Sequence, residues 1–270
     1  MTGPGAGERH SLVIHRDAGV LAQAAAARLI VKLIDVLNAK EVAHVSLTGG
    51  TVGIGTLAAV AQLPARDAVD WHRVHLWWSD ERFLPTGDPE RNDTQAKEAL
   101  LDQLAQQGLP AEQVHTMPAT DGPDGEDAQA AADRYAAELA RFADPAVPDS
   151  DAPSFDLLVL GMGPDGHIAS LFPEHPGVYE EKPSVIAVHN SPKPPPNRLS
   201  MTFRVIEAAR EIWVVAAGAE KAAAVQMALS GAGRVQVPAA GALGRARTMW
   251  LVDRAAAAQL PPGLNRIASP

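Results

Sequence analysis

The sequence contains no cysteine, few aromatic residues and no long hydrophobic run. Without cysteine, the chain forms no disulfide, thiolate zinc site or iron–sulfur cluster, and it has no cysteine nucleophile. No stretch supplies the roughly 20 uninterrupted apolar residues of a membrane-spanning helix, and residues 1–10 lack the apolar segment of a secretion signal. These absences predict a protein of the cytoplasm with no membrane partner.

An excess of positive charge is also missing. The chain has 23 Lys and Arg against 32 Asp and Glu, a formal net charge of −9, and the two signs are interspersed along the sequence. Nucleic-acid binding requires a basic patch or stripe, so we expect no nucleic-acid partner. An anionic ligand would have to be bound by local cations against the overall field.

Apolar runs alternate with helical patterns along most of the 270 residues. This alternation indicates an α/β fold with a largely parallel sheet. We predict strands at 11–15, 42–47, 74–78, 155–160, 185–189, 199–203, 212–216 and 248–252, and helices at 17–38, with Asp17 as N-cap, 54–62, 92–107, 125–142 and 220–229. The expected fold is a Rossmann-like open sheet flanked by helices, with a smaller C-terminal α/β section. Residues 1–10 would be a flexible tail and 11–270 a single catalytic domain.

The loop after the second predicted strand is rich in glycine and threonine. Ligands of open α/β sheets bind beyond the carboxyl ends of the strands, and free N–H groups at the start of a helix favour anions. The segment 48–53 therefore predicts an anion site, although a simple tight turn has the same composition. Gly53-x-Gly55-x-x-Ala58, with Asp80 beyond the next strand, also fits a dinucleotide fingerprint and so an alternative nicotinamide-dependent enzyme.

Two further loops place charged side chains after strands. The segment 79–85 carries Asp80 and Arg82, where the guanidinium suits phosphate or carboxylate and Asp80 could orient it or bind a substrate hydroxyl. The proline-rich segment 190–198 carries Lys193 and Arg198, whose directions the stiff loop would restrict. A surface ion pair in the first loop and a solvated turn in the second remain open.

The loop 161–173, Gly-Met-Gly-Pro-Asp-Gly-His-Ile-Ala-Ser-Leu-Phe-Pro, carries the strongest catalytic signal. His167 follows a buried strand, at an expected helix start, and an imidazole accepts a proton from water at neutral pH. Asp165 could fix its tautomer or hold the attacked water. The remaining histidines show no metal-binding spacing, and nothing near His167 and Asp165 completes a ligand set, so we predict no metal and no cofactor.

Together these segments resemble the 6-phosphogluconolactonase family, which shares its fold with glucosamine-6-phosphate deaminases. The resemblance extends from about residue 11 to residue 254. Its motifs are Thr-Gly-Gly-Thr at 48–51, Ser-Asp-Glu-Arg at 79–82 with Pro85, Asn92, the Asp-Gly-His loop at 161–173, and Pro-Lys-Pro-Pro at 192–195 with Arg198 and the strand 199–202.

The resemblance implies hydrolysis of 6-phospho-D-glucono-1,5-lactone to 6-phosphogluconate, the second step of the oxidative pentose phosphate pathway, without metal or nucleotide. His167 would be the general base, and Asp165 would hold the imidazole or the substrate. A transient association with glucose-6-phosphate dehydrogenase is a further expectation. The phosphate and neighbouring oxygens would be bound by Gly49, Gly50, Thr51, Arg82, Lys193 and Arg198.

The deaminase branch is the main alternative, with Asp80 as its base. Deaminases follow the histidine with a Phe-Asn-Glu-Pro-like run whose glutamate assists it, whereas this chain places Phe172 at that position. A phenyl ring cannot transfer protons, so the lactonase is favoured. A nicotinamide-dependent enzyme would leave the loops at 161–173 and 190–198 unexplained. Acidic, proline-rich insertions at 118–127 and 144–154 are expected on the surface.

Overall fold

The computed structural model describes residues 10–147, 149–261 and 266–268. The predicted flexible tail, residues 1–10, lies outside the described residues except for His10, which begins the first strand. The prediction of a single domain over 11–270 stays a prediction. In the part of the chain described, no helix combines the length and apolar character needed to cross a membrane.

A parallel sheet of seven strands forms the centre of the fold, in the order β10-β1-β9-β8-β5-β2-β3. The α/β prediction is confirmed, and within the expected C-terminal section the last three strands of the described chain belong to this same sheet. The strands are β1 His10–His15, β2 Ala43–Leu47, β3 Val74–Trp78, β5 Leu157–Gly161, β8 Glu211–Ala216, β9 Arg247–Asp253 and β10 Arg266–Ala268.

Helices cover both faces of the sheet. They are α1 Ala18–Ala39, α2 Gly50–Gln62, α3 Asn92–Ala96, α4 Asp102–Gln106, α5 Ala128–Arg141, α6 Phe203–Ala208 and α7 Ala222–Leu229, with one π-helical turn, Lys97–Leu101, joining α3 to α4. Asp17 caps α1 by accepting from the amide of Val20, as predicted. Helix α2 begins four residues earlier than predicted, at Gly50, whose positive φ of 75° suits glycine.

Successive strand residues pack on opposite faces, which gives two hydrophobic cores. On β3, Leu76 and Trp78 pack with α1, α2 and α4, whereas Trp77 points to the face covered by α5 and α7. All three side chains are nearly inaccessible to solvent. This two-sided burial explains why the predicted strands read as almost continuous apolar runs.

A second, antiparallel sheet was missed by the sequence analysis. Its strands are β4 Asp80–Arg82, β7 Arg198–Met201 and β6 Val185–Val188, in that order. The interpretation of 79–85 as a loop is thus wrong for 80–82, which pair with β7. The strand expected at 199–203 also ends at Met201, and its last residue, Phe203, begins α6. Pairing of β4 with β7 brings two separate polar segments together.

Three histidines stack beside Trp77 near the amino ends of β2 and β3. The ring centroids of His44 and His75 are 4.8 Å apart, those of His75 and His115 are 5.2 Å apart, and the ring of His115 lies 3.7 Å from that of Trp77. Burial lowers the pKa of His44 to about 3 and that of His115 to about 4. The cluster is therefore held in its neutral form.

The acidic insertions are tied to the rest of the fold by hydrogen bonds and ion pairs. Asp121 accepts from the amide and hydroxyl of Thr86, at 2.9 and 2.8 Å. Asp124 pairs with Arg134 of α5 at 2.6 Å. Arg204 of α6 reaches Asp151 at 3.3 Å. These ion pairs and hydrogen bonds are mostly exposed, as expected for surface segments.

Candidate active site

A cavity of about 220 Å³ lies where the loops after β8, β5, β2 and β3 meet. These four strands are neighbours in the sheet, so their carboxyl ends converge on one edge. Polar and charged side chains dominate the walls. The lining residues are Thr48, Gly49, Gly50, Asp80, Arg82, Asn92, Gly161, Met162, Gly163, Pro164, His167, Ala169, Lys193, Arg198 and Lys221.

His167 and Asp165 form a hydrogen-bonded pair at this cavity. Nδ1 of the imidazole lies 2.6 Å from Oδ1 of Asp165. An ionised carboxylate only accepts hydrogen bonds, so we assign the ring proton to Nδ1 and the free lone pair to Nε2. His167 lines the cavity, whereas Asp165 does not line it and contacts the imidazole at Nδ1. The pair thus has the arrangement of an oriented base.

The backbone around His167 differs from the prediction. No helix begins there; instead the amide of Gly163 donates to the carbonyl of His167 at 2.9 Å, and that of Gly166 donates to Gly163 at 3.0 Å. A Cβ at residue 163 would collide with the imidazole and with the Asp165 carboxylate. Ala169, at the cavity wall, holds a left-handed φ of 48°. The tight turn, rather than a helix start, sets the direction of the imidazole.

Lys193 lies beside the His167–Asp165 pair. Its Nζ is 3.2 Å from Oδ1 of Asp165 and 3.4 Å from Nδ1 of His167. Burial acts to raise the pKa of Asp165, but the hydrogen bonds from His167 and Lys193 and the positive charge of Lys193 outweigh it and hold that pKa well below its usual range. Asp165 is thus a carboxylate at neutral pH.

Arg82 and Arg198 stand opposite each other on β4 and β7. The guanidinium of Arg82 donates to Oδ1 of Asn92 at 2.8 Å, while that of Arg198 donates to the carbonyl of Pro194 at 2.9 Å. Burial lowers the pKa of Arg198, which still leaves a guanidinium charged at neutral pH. Both side chains line the cavity, as the sequence analysis expected of an anion site.

Asp80 lines the same wall. Its Oδ2 accepts from the hydroxyl of Ser170 at 2.7 Å, and its backbone carbonyl accepts from the Asn92 amide group at 2.9 Å. The side chain is only 7% exposed. Ser170 uses one oxygen of this carboxylate, which leaves the other able to accept from a ligand.

The start of α2 forms part of the cavity wall. Gly49 and Gly50 line the cavity, and the side chain of Asn92 packs where a Cβ of residue 49 would be. Thr51 is exposed and does not line the cavity, so the structure does not bring this candidate to the site. Gly53 lies within α2, against the carbonyl of Thr48, instead of in a turn before a helix. The dinucleotide fingerprint is therefore absent as a structural motif among the described residues.

Lys221 was missed by the sequence analysis. It follows β8 at the cavity edge, and in the described part of the chain no carboxylate oxygen lies within 4.0 Å of its ammonium group. Burial and the positive charge of Lys193 lower its pKa. The strand-end rule could have identified it, because Lys221 comes five residues after the last residue of β8.

A buried carboxylate, Glu81, supports this wall. Its Oε1 accepts from the amides of Arg82 and Asn92 at 2.8 and 2.7 Å, and its Oε2 from the amide of Asp93 at 2.9 Å. Burial raises the pKa of Glu81, while three N–H donors favour its ionised form. Glu81 thereby joins β4 to the start of α3 and fixes Arg82 relative to Asn92.

Across the described ranges, no group of three or more His, Asp or Glu side chains is arranged to hold a metal ion. The His167–Asp165 pair has no third ligand of this kind. The only carboxylate in contact with the imidazole, within the described residues, is that of Asp165.

The chain matches a protein-family profile over most of its length. The sequence profile for glucosamine-6-phosphate isomerases/6-phosphogluconolactonase matches residues 16–250. The chain belongs to this family. Members of it with high similarity include 6-phosphogluconolactonase of Streptomyces coelicolor, which is 60% identical over 260 residues, 96% of this chain and 97% of that protein. The Mycobacterium tuberculosis 6-phosphogluconolactonase is 46% identical over 251 residues, covering 93% and 98%.

Solved structures of the family share the fold. The 6-phosphogluconolactonase of Trypanosoma brucei superposes with a TM-score of 0.78 at 26% identity, over 94% of this chain and 99% of that one. A monomeric glucosamine-6-phosphate deaminase superposes with a TM-score of 0.67 at 20% identity, over 92% and 99%. The second likeness concerns the fold alone.

Proposed function

We propose that the protein hydrolyses 6-phospho-D-glucono-1,5-lactone to 6-phosphogluconate, as a step of the oxidative pentose phosphate pathway. The observation that carries this proposal is the oriented imidazole of His167, which opens into the same cavity as the cations Arg82, Lys193, Arg198 and Lys221. A base and an anion receptor in one small cavity fit an ester substrate that carries a phosphate. The named relatives support the same reaction.

In this proposal His167 activates water. Nε2 takes a proton from a water molecule as its oxygen bonds to the lactone carbonyl carbon, and the carbonyl electron pair moves onto oxygen. When that pair re-forms the C=O bond, the bond to the ring oxygen breaks, and the imidazolium returns its proton to that oxygen. Asp165 keeps Nδ1 protonated and stabilises the imidazolium.

The phosphate is assigned to Arg82, Arg198, Lys221 and the start of α2. Lys221 has no carboxylate partner in the described structure, and Arg82 and Arg198 stand side by side. Free N–H groups at the start of α2, by Gly49 and Gly50, add partial positive charge. This local concentration of positive charge is what a dianion needs in a chain of net charge −9.

Asp80 is assigned to a hydroxyl group of the sugar. Ser170 already donates to its Oδ2, so its remaining acceptor sites face the cavity. A buried carboxylate accepts strongly from a hydroxyl. We therefore place the polyol part of the substrate between Asp80 and His167.

The deaminase alternative receives no support from the surroundings of His167. The phenyl ring of Phe172 packs on the imidazole, with centroids 4.5 Å apart. The phenyl ring therefore takes the position that an assisting carboxylate would need. A cytoplasmic location and a transient association with glucose-6-phosphate dehydrogenase are proposals too, and the first is in keeping with the absence of cysteine.

The decay of freshly generated 6-phosphogluconolactone tests the proposal. We expect the wild-type protein to accelerate it, with or without EDTA, and His167→Ala to lose about 10²- to 10⁴-fold of the rate. The exposed His189 provides a matched control, since His189→Ala should retain activity. A wild-type rate no faster than spontaneous decay would refute the function, and ammonia release from glucosamine 6-phosphate would then be measured.

A further inference from the structure

The cations of the cavity fall into two sets by what they contact. Arg82 and Arg198 face each other beside Asp80, and among the described residues neither donates a hydrogen bond to His167 or Asp165. Lys193 instead touches the catalytic pair. The family resemblance implies that Lys193 binds the phosphate, but its position in the structure differs from that of Arg82 and Arg198.

The ammonium of Lys193 cannot bond to the imidazole. Nδ1 of His167 carries a proton that it donates to Asp165, so Lys193 and His167 are two donors that share the acceptor Oδ1. An ammonium has three N–H bonds, and Asp165 is the only side-chain acceptor for Lys193 in the described residues other than the His167 ring. The remaining N–H bonds are available to a ligand in the cavity that Lys193 lines.

The loop that carries Lys193 holds it there without help from a substrate. Arg198 donates to the backbone carbonyls of Lys193, Pro194 and Pro195, and the hydroxyl of Ser191 donates to the carbonyl of Lys193 at 2.9 Å. The carbonyl of Lys193 therefore accepts from two donors. Its ammonium is positioned beside His167 before any ligand enters.

We propose that Lys193 is a catalytic residue that stabilises the negative charge formed on the lactone carbonyl oxygen, and not a ligand of the phosphate. This inference rests on the proposed function. Water attacks the carbonyl carbon from the side of Nε2, and the electron pair displaced onto the carbonyl oxygen is met by the ammonium of Lys193. Lys193 stays protonated throughout, so the proton transfers of His167 are unchanged.

Two substrates separate this role from phosphate binding. D-Glucono-1,5-lactone has the same reacting carbonyl as the proposed substrate but no phosphate. Lys193→Met should lower kcat/KM on both lactones by a similar factor, about 10²- to 10³-fold, as for loss of an oxyanion donor. Lys221→Met, in contrast, should lower kcat/KM much more on the phosphorylated lactone. Lys182→Met is the control, because Lys182 is exposed and away from the cavity.

A binding measurement provides an independent readout. A hexitol 6-phosphate carries the phosphate and hydroxyls but has no carbonyl. Its dissociation constant, measured by calorimetry, should change less than about threefold in Lys193→Met and rise at least tenfold in Lys221→Met. This measurement decides the question even if the wild-type protein does not accelerate hydrolysis of the unphosphorylated lactone.

Chemical rescue tests whether the ammonium itself is needed. Because the chain has no cysteine, Lys193→Cys creates a unique thiol, and treatment with 2-bromoethylamine forms a thioether that ends in an ammonium at nearly the same length. We expect Lys193→Cys to be as slow as Lys193→Met and aminoethylation to restore at least tenfold of kcat. Aminoethylated Lys182→Cys is the matched control.

The outcomes are distinct. A wild-type protein inactive on 6-phosphogluconolactone refutes the proposed function. Activity in the wild type, together with a Lys193→Met defect confined to the phosphorylated lactone and a weakened hexitol phosphate complex, refutes only the role given to Lys193. Failure of aminoethylation to restore the rate, with the fold intact by circular dichroism, also contradicts it.

Discussion

Arg82 and Arg198 occupy directly opposed positions on β4 and β7, although 115 residues lie between them in the chain. Two adjacent guanidinium groups repel each other unless an anion lies between them. Each is held by acceptors of its own, Asn92 for Arg82 and the Pro194 carbonyl for Arg198. The small antiparallel sheet thus prepares a site for an anion.

Arg82→Gln should weaken binding of the phosphorylated substrate. A hydrogen bond to a charged group is worth about 1.5–3 kcal/mol, so KM is expected to rise roughly 10- to 150-fold while kcat falls much less. Initial rates over a range of lactone concentrations measure both constants. Arg254→Gln, at an exposed position, is the control, and an unchanged KM in Arg82→Gln would contradict the assignment.

Asp165→Asn should impair turnover more than binding. The asparagine can direct its NH₂ group at Nδ1 of His167, which favours the tautomer with the proton on Nε2 and removes the lone pair needed for catalysis. We expect kcat to fall about 10²- to 10⁴-fold. A variant that keeps most of its kcat would show that Asp165 does not orient the base.

The histidine stack should make stability fall in mild acid. Because His44 and His115 have pKa values of about 3 and about 4 in the fold and about 6.5 when unfolded, the unfolded chain binds more protons between these limits. The free energy of unfolding therefore has its full value above pH 6.5 and decreases as the pH falls further, by about 2 kcal/mol per histidine at pH 5.

Urea denaturation between pH 7 and pH 5 measures this effect. His44→Asn retains an acceptor for the Trp77 indole, which donates to Nδ1 of His44 at 3.2 Å, but it has no group that titrates. The variant should lose stability less steeply with falling pH. The same slope in wild type and His44→Asn would contradict the prediction, and His189→Asn serves as the exposed control.

Glu81→Gln should lower both stability and substrate affinity. The two oxygens of Glu81 accept from three backbone amides, whereas glutamine has only one oxygen. Its NH₂ group would therefore face at least one backbone N–H without an acceptor between them. An unsatisfied buried donor costs about 1–3 kcal/mol. We expect a loss of that size in the free energy of unfolding, with a raised KM because Arg82 and Asn92 lose their common support. Glu41→Gln is the exposed control.

Much of the site could be predicted because parallel strands place their carboxyl ends together. His167, Asp80 and Lys193 each follow an apolar run that is readily identified as a strand. Strand β4 could not be found in this way: it is three polar residues long, and its pairing with β7 depends on contacts distant in sequence. It begins with two acidic residues, Asp80 and Glu81, and acidic residues in a sequence are more typical of a loop than of a strand.

Other differences have local causes. The Gly-Gly pair does not suggest helix, yet α2 begins at Gly50, whose positive φ of 75° glycine adopts without strain. A histidine after glycine suggested a helix start, but the hydrogen bond from Gly163 to the carbonyl of His167 closes a turn instead. Lys221 was not recognised because its loop has no unusual composition, although its position shortly after the apolar run of β8 follows the strand-end rule.

The hydrogen bonds that Arg198 donates to the carbonyls of its own loop affect how the substrate binds. Side chains and loops that must be ordered when a ligand arrives reduce affinity, since lost conformational freedom offsets part of each new contact. Here that ordering accompanies folding: the guanidinium already fixes Lys193, Pro194 and Pro195. Substrate capture should then be a single fast association, limited by diffusion through a charged entrance and not by loop closure.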